Sequence, residues 1–316
     1  MTDQATERAQ RLATLPFESS GPTSVRSVGG FVSAVREIFG QKELLDLLIR
    51  RELKSRYKDS SLGFVWSLIR PLTMLLIYYV FIGQVLGAAR GVPDFAIFVY
   101  AGLTLWGLYS EIVTAGTSSI ITNAGLIKKV YLPREIFPLA SVGSALFNFA
   151  IQMGILLLAT IALGQFPLSW DLLYVPVAVI IVIIYGTALA LLLSALNVYL
   201  RDVQYLVEVA ILLFFWASPI VYSWSFVVNA TVQRGASWLG ELYLLNPISI
   251  SMIAFDRGIW KAGSEQRVIE GNVIPAQPWP EHMDIRLVIT AIVGLVFVVI
   301  AQRIFARLQG NFAQEI

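Results

Sequence analysis

The chain has 316 residues, of which 57% are hydrophobic and 14% are charged, and its mean hydropathy is +0.71. Soluble globular domains carry about a quarter charged residues, so this composition excludes an ordinary water-soluble domain and indicates lipid as the main solvent. The net charge of +2 and the lack of a basic, aromatic-rich stripe argue against nucleic-acid binding, and a chain without cysteine and with one histidine has no disulfide and no pattern of converging metal ligands.

The N-terminal part of the chain predicts a tail followed by an amphipathic helix. Residues 1–30 are polar and contain no apolar core of the signal-peptide type, which predicts a disordered cytoplasmic tail. Residues 41–57 carry leucines and an isoleucine at helical spacing on one face and charged side chains on the other. Such a helix lies in the membrane interface or packs on the cytoplasmic side of the protein itself, and the sequence is compatible with both.

The long uncharged stretches predict about six transmembrane α-helices, because a span needs roughly 20 mostly apolar residues. The predicted fold class is therefore an all-α integral membrane protein. The predicted spans lie at about 64–87, 95–121, 136–164, 172–199, 204–224 and 285–305. They make up a transmembrane domain over 63–308, preceded by the helix and a loop over 31–62 and followed by a cytoplasmic tail over 309–316. Small residues at Gly186, Ala190 and Ser194 predict a closely packed seam within the chain, or else between two copies.

The distribution of lysine and arginine predicts the orientation. These residues crowd before the first span, between the second and third, after the fourth and after the last, whereas the connections 88–94 and 165–171 hold only Arg90. Because positive residues favour the cytoplasmic side, both termini are predicted in the cytoplasm. Residues 225–284 then lie outside, and Pro247 interrupts their semi-apolar part, which predicts short helices that enter the outer leaflet and return.

The connection between the second and third spans has the most informative pattern. Asn123 can cap a helix and Pro133 ends one, which predicts a cytoplasmic helix of about two turns. Its apolar side chains lie among lysines, which indicates a docking site for another protein. A positively charged loop that only anchors the adjacent spans is the alternative.

Four side chains within the predicted spans are candidates for a substrate pathway. Glu111 lies midway in the second span, where an ionisable group is costly and indicates function, although a buried hydrogen-bonding role is an alternative. Trp106 and Tyr109 lie deeper than the interfacial aromatic residues, and the C–H faces of sugars stack on such rings. Arg70 lies near the interface, where its side chain can reach water.

Five motifs resemble those of the ABC-2 type permeases of bacterial polysaccharide exporters, which include the O-antigen, capsule, teichoic-acid and cell-wall galactan exporters. The resemblance covers nearly the whole chain from about residue 31. The motifs are Arg51 to Trp66 with Arg70-Pro71, Leu126 to Glu135, Asn197 to Asp202, Ser218-Pro219-Ile220 and Leu245-Asn246-Pro247.

The resemblance implies a transport subunit and not an enzyme. Such a permease forms a homodimer in the bacterial plasma (inner) membrane, pairs with two copies of a cytoplasmic ABC ATPase that binds MgATP, and exports a lipid-linked polysaccharide. No cofactor is expected on this chain. The sequence contains no G-x-x-x-x-G-K-[ST] phosphate loop, so ATP hydrolysis is expected on the partner.

The resemblance also implies roles for particular residues. Contact with the ATPase is expected of Asn123, Gly125, Leu126, Ile127, Lys128, Lys129, Val130, Tyr131, Leu132, Arg134 and Glu135. The amphipathic helix over 41–57 would be the interface helix of this family, and its expected functional residues are Arg50, Arg51, Lys54 and Arg56. Substrate access and passage are expected of Tyr57, Lys58, Ser60, Leu62, Gly63, Trp66, Arg70, Trp106, Tyr109 and Glu111. The external gate is expected at Pro219, Tyr222, Asn246 and Pro247.

Three other functions are weighed against this one. One alternative is an ABC-2 permease for a drug or a small lipid. Only the resemblance of the motif Arg51 to Trp66 separates this function from polysaccharide export, and it favours glycans. A membrane-embedded polyprenyl-phosphate glycosyltransferase needs clustered carboxylates to hold Mg²⁺, and no D-x-D occurs. A secondary transporter normally has paired broken helices, and Pro219 has no counterpart.

Overall fold

The computed structural model describes residues 36, 40–57, 65–85, 87, 91–130, 132–269 and 272–315. The predicted tail 1–30 lies outside these residues, as do Lys58, Ser60, Leu62, Gly63, Tyr131 and the side chains of Arg56, Tyr57 and Arg70. The described part is almost wholly helical, which confirms the all-α class; its strands form one antiparallel hairpin, β1 Arg267–Ile269 and β2 Asn272–Ile274.

The described helices follow one another along the chain, and the hairpin lies in a longer connection over residues 260–282. The first six are α1 Lys42–Tyr57, α2 Trp66–Ile77, α3 Phe95–Thr122, α4 Ala124–Ile127, α5 Ile136–Ala162 and α6 Tyr174–Tyr199. The last six are α7 Val203–Trp216, α8 Trp224–Gln233, α9 Ser237–Leu244, α10 Pro247–Ile259, α11 Met283–Leu308 and α12 Phe312–Glu315. A π-helical stretch, Tyr78–Val85, continues α2, and short 3-10 turns precede α6 and α12.

Four helices in the described part are long and apolar enough to cross a membrane. They are α3, α5, α6 with its preceding turn, and α11 with its following turn, and they have 27 to 30 residues each. The first and fifth predicted spans correspond to shorter apolar helices, Pro71–Val85 and Val203–Trp216. At 1.5 Å per residue the 14 residues of α7 cover only about 21 Å. This helix ends early because Pro219 cannot continue it.

Helix α3 lies at the centre of the bundle and α11 at its edge, since 72% of the apolar window of α3 is buried against 17% for α11. Glycine permits the close approach of α3 to α6. A Cβ added to Gly116 would lie 2.4 Å from the Cβ of Ala190, and one added to Gly186 would lie 2.9 Å from Ile112. The predicted seam of small residues is therefore used for packing within the chain.

The interrupted outer part of the chain forms two helices, α9 and α10, bent by 90° at Asn246-Pro247. The side chain of Asn246 accepts a hydrogen bond from the backbone N–H of Ile248 at 3.0 Å, and Pro247 occupies the first helical position. Both residues suit a helix start. The short, bent helices expected from Pro247 are present.

The apolar face of α1 packs on the protein. Leu48 is buried, and Ile49 sits over Gly143 of α5, where an added Cβ would lie 2.3 Å from Ile49 Cδ1. The sequence allows α1 to lie in the membrane interface or to pack on the protein itself, and the structure has it packed on the protein. We call this part of the bundle the α1 end and the opposite part, which carries β1 and β2, the hairpin end.

Candidate functional site: a groove between the spans and a basic connecting segment

The connecting segment, residues 123–135, joins α3 to α5 at the α1 end. Its helix α4 has four residues, so the predicted helix of about two turns is wrong in length. Pro133 provides the reason, because proline disfavours helical backbone at the preceding residue and clashes with the carbonyl four residues earlier. Turns over 128–130 replace the second helical turn.

The apolar side chains of the connecting segment point mostly inwards. Ile127 is buried, and Leu126 and Leu132 pack against the same apolar cluster at the α1 end, which also contains Leu48 of α1. Val130 is 45% exposed beside the exposed Lys128 and Lys129. Among the described residues of the segment, the predicted exposed apolar patch is thus corrected to a basic surface with Val130 as its exposed apolar side chain.

Asn123 links three elements and does not cap α4 with its side chain. Its Nδ2 donates to the carbonyl of Ser119 in α3 at 2.8 Å, and its Oδ1 accepts a hydrogen bond from the guanidinium of Arg51 on α1. Asn123 occupies the N-cap position expected from the sequence, but its side chain makes no capping hydrogen bond because it is engaged with these two partners. Asn123 instead ties α1 to the end of α3.

Arg50 and Lys54, two other predicted residues of α1, lie at its surface. Arg50 pairs with Asp46 at 2.8 Å one turn away, and Lys54 is exposed. Exposed pairs of this kind contribute little to stability. The surface of α1 that faces away from the bundle is therefore charged.

A groove of about 1090 Å³ runs between α2, α3, α5 and α7. Three residues predicted for the substrate pathway, Trp66, Trp106 and Glu111, line it. Tyr109 is buried, with its ring centre 5.4 Å from that of Trp106, and it is not among the lining residues. The groove therefore assembles most of the described pathway candidates from separate helices.

One wall of the groove is polar although its helices are apolar overall. On α3 the wall contains Ser110, Glu111, Thr114 and Ser118, which recur at helical spacing. The Thr114 hydroxyl donates to the carbonyl of Ser110 at 2.7 Å, so its oxygen lone pairs stay free to accept hydrogen bonds. The wall thus presents acceptors to whatever fills the groove.

Glu111 is held in this wall by α5. Asn148 Nδ2 donates to Glu111 Oε1 at 2.7 Å, and Asn148 Oδ1 is buried without a hydrogen-bond partner among the described residues. Asn148 and Gln152, one turn apart, both line the groove, yet the sequence reasoning missed them. Two amides four residues apart in an otherwise apolar span are the signal that could have found them.

Another part of the groove lining is aromatic. The ring of Phe215 on α7 lies 5.6 Å from Trp106 and 6.0 Å from Tyr78, between centres, and 5.5 Å from Trp216. Such spacings are those of packed aromatic pairs. The groove therefore combines flat apolar surfaces with hydrogen-bond acceptors.

The residues predicted for an external gate meet where α7 ends. Tyr222 donates to the carbonyl of Trp216 at 2.8 Å and lies 3.1 Å from the hydroxyl of Tyr243. Asn246 Nδ2 lies 3.4 Å from Ser218 Oγ, which joins the bend at Pro247 to the break at Pro219. The two interruptions of the helical pattern are therefore packed against each other.

Among the described residues, no group of three or more histidine or acidic side chains is placed to hold a metal ion. Long apolar helices around a polar and aromatic groove, with a basic segment at one end, are features of a membrane transport subunit.

The chain belongs to the ABC-2 type transporter family, whose profile matches residues 43–260. It is similar to the O-antigen export system permease protein RfbA of Myxococcus xanthus, with 30% identity over 286 residues, 90% of this chain and 100% of that protein. It is also similar to a Klebsiella pneumoniae protein of the same description, 30% identical over 226 residues, 67% of this chain and 86% of that protein. The polysialic acid transport protein KpsM of Escherichia coli is 26% identical over 150 residues, 43% of this chain and 56% of that protein.

Proposed function

We propose that this chain is the permease subunit of an ATP-binding cassette exporter that moves a lipid-linked polysaccharide from the cytoplasmic to the outer face of the bacterial plasma membrane. The polysaccharide would be of the O-antigen, wall galactan or teichoic acid type. The similarity to an O-antigen export permease over the whole length of that protein supports this substrate class. The observation that carries the proposal is the groove, which is lined by polar side chains and by aromatic rings.

The chemistry of the groove suits a glycan better than a drug or a small lipid. Sugar rings offer C–H faces to aromatic surfaces and many hydroxyl donors to acceptors such as Glu111 and Ser110. Polar side chains within spans indicate a functional site, and hydroxyl and carboxylate oxygens can accept further hydrogen bonds from a ligand rich in donors. A purely apolar substrate would make no use of these oxygens, which makes the drug or lipid permease the second candidate.

A second copy of this chain would close the groove. The flanking helices expose large apolar side chains, Leu76 on α2 and Leu212 and Leu213 on α7, each at 60% or more. Contiguous exposed apolar surface beside a polar groove is expected to meet lipid or another protein. In a homodimer the two grooves would face each other and form one passage, while α11 would face membrane lipids.

The energy for export would come from two copies of a cytoplasmic ABC ATPase that binds MgATP. The connecting segment would contact this partner through Lys128, Lys129 and Val130, which are exposed among its described residues. The charged surface of α1 would lie beside it as the interface helix. Residues 57–63 would receive the lipid-linked sugar at the cytoplasmic mouth, and the packed breaks at Pro219 and Pro247 would gate the outer end.

The orientation with both termini in the cytoplasm is supported by the state of the cations at the two ends. At the hairpin end Arg257 pairs with Asp171 at 3.0 Å, and Arg267 with Asp94 at 3.1 Å. Lys128 and Lys129 at the α1 end are exposed. Lysines and arginines in short connections near the span ends favour the cytoplasm, which suits the α1 end, whereas a long segment such as that at the hairpin end is largely exempt from this rule.

The direct test is export in cells. Deleting the gene should leave the lipid-linked glycan at the inner face of the plasma membrane and remove the glycan from the surface, and the intact gene on a plasmid should restore it. In a purified system, ATP-dependent movement of the glycan lipid should require both this chain and the ATPase. Normal surface glycan in the deletion strain refutes the proposal.

A further inference from the structure

The connecting segment is held at both ends by parts of the chain that are distant in sequence. At its start, Asn123 accepts a hydrogen bond from Arg51 on α1. At its end, Arg134 and Glu135 contact residues that follow α11. Glu135 and its partner Gln309 are 174 positions apart in the chain. A segment held at both ends can move only together with what holds it.

The contacts at the second end converge on Phe312. Its side chain is fully buried, and its ring centre lies 5.5 Å from that of Phe305 and 6.2 Å from that of Tyr199. The guanidinium carbon of Arg134 lies 5.7 Å from the same ring centre, within the range of a cation–π contact. Phe312 therefore joins the last residues of α6 and α11 to the end of the connecting segment.

Two hydrogen bonds reinforce this junction. Gln309 Nε2 donates to Glu135 Oε1 at 3.2 Å, and the Tyr199 hydroxyl donates to the carbonyl of Leu308 at 2.7 Å. Phe312 also belongs to the apolar cluster at the α1 end that contains Ile127 of the connecting segment. This cluster is separate from the main core, which lies around α3, α6 and α10.

We propose that residues 309–315 are an anchor for the connecting segment, with Phe312 as its positioning residue. The anchor makes Arg134 and Glu135 move together with the ends of α6 and α11, so that a push on the segment displaces these spans. Without the anchor, the connecting segment moves by itself and its motion does not displace α6 and α11. The transport part of this inference rests on the proposed function, whereas the anchoring itself does not.

Amide hydrogen exchange tests the anchor in the full chain in lipid nanodiscs, without an ATPase. In Phe312→Ala, the amides of residues 124–130 should exchange at least about tenfold faster, which corresponds to about 1.4 kcal/mol. The amides in the middle of α3 should keep their protection. The matched control is Gln314→Ala, an exposed residue of the same short helix, which should leave both regions unchanged.

A second variant keeps the test decisive if Phe312→Ala fails to fold. Gln309→Ala removes only the hydrogen bond to Glu135, and we expect the same local increase in exchange, smaller in size. Unchanged exchange at 124–130 in the folded variants overturns the anchor. An equal increase over all helices also overturns it, because Phe312 would then only fill the core.

The consequence for transport is a change in coupling. With the ATPase present, Phe312→Ala should keep the yield of the complex and its ATP hydrolysis while the glycan moved per ATP falls about tenfold or more. Phe312→Leu, which keeps most of the apolar volume, should recover part of this ratio. If wild-type complex moves no glycan, the proposed function has failed, and the exchange experiment still decides the anchor. An unchanged ratio overturns the role in coupling.

Discussion

Asn148 of the third span donates a hydrogen bond to Glu111 of the second span at 2.7 Å, and both side chains line the groove. The amide orients the carboxylate, so that Glu111 is fixed in the wall and does not rotate freely. Glu111 thus combines two roles that the sequence offers as alternatives, because it is hydrogen-bonded between spans and also faces the groove.

Two substitutions of Glu111 should distinguish the contribution of its charge from that of its hydrogen bond to Asn148. Glu111→Ala leaves Asn148 without this partner and should lower the free energy of unfolding by about 1–3 kcal/mol, and export should fall. Glu111→Gln keeps an acceptor for Asn148 and should unfold near the wild-type temperature. Surface glycan and thermal unfolding of both purified variants give the comparison. Full export by Glu111→Ala shows that the carboxylate has no part in the pathway.

The aromatic surface at the mouth of the groove should matter for passage and little for stability. Trp66 lines the groove and is 52% exposed, so Trp66→Ala should leave the unfolding temperature almost unchanged while export falls, by roughly fivefold if one ring stacks on the glycan. Trp170→Ala is the matched control, since Trp170 is 87% exposed and lies outside the groove. Equal export by the two variants contradicts a stacking role for Trp66.

Charge reversal in the connecting segment should weaken binding of the ATPase. The double variant Lys128→Glu, Lys129→Glu should reduce the amount of ATPase that co-purifies, while the unfolding temperature stays the same because both side chains are exposed. Lys261→Glu, an exposed change at the hairpin end, is the control. An unchanged yield of the complex in the double variant would argue against docking at these lysines.

The contact between α3 and α6 should not tolerate a larger residue. A Cβ on Gly116 would lie 2.4 Å from the Cβ of Ala190, so Gly116→Ala should destabilise the chain by about 1–3 kcal/mol through overpacking. Gly154→Ala in α5 has no atom within 4 Å of the new Cβ and should be neutral or slightly stabilising. Thermal unfolding in detergent distinguishes the two. Equal unfolding temperatures of the two variants would contradict the close packing of α3 against α6 at Gly116.

The absence of cysteine permits a direct test of orientation. Gly91→Cys and Leu168→Cys should react with a membrane-impermeant thiol reagent added to intact cells from which the outer barrier has been removed. Lys128→Cys should react only after the membrane is opened. The opposite pattern of labelling refutes the cytoplasmic placement of the connecting segment.

Much of the helical framework could be predicted from the sequence because lipid leaves few choices to the backbone. A chain without water around it satisfies its own hydrogen bonds in helices, so uncharged runs predict spans directly. The run at about 95–121 corresponds to Phe95–Thr122, and the run at about 172–199 to Trp170–Tyr199. The prediction was less accurate where proline acts locally, as at Pro133, which shortens α4, and Pro219, which ends α7.

The candidate site was only partly predictable, because the decisive contacts join distant residues. Glu111 and Trp106 stand out in the sequence as polar or aromatic side chains within spans. The role of Asn148 depends on its hydrogen bond to Glu111, which lies 37 residues away in the chain. Ile127 was expected at the surface and is buried, since its neighbours come from α1 and from the end of the chain. No periodicity within the connecting segment contains that information.

Sequence alone determined that this chain belongs in a lipid bilayer, where its four long apolar helices lie, and which family it resembles, because these depend on composition and on local patterns of charge and apolarity. Only the tertiary structure decided which side of each helix faces the groove and what holds the connecting segment. The physical reason is that a helix in lipid is apolar on nearly every side, so hydrophobicity does not mark its inner face, and packing against partners distant in sequence settles the matter instead.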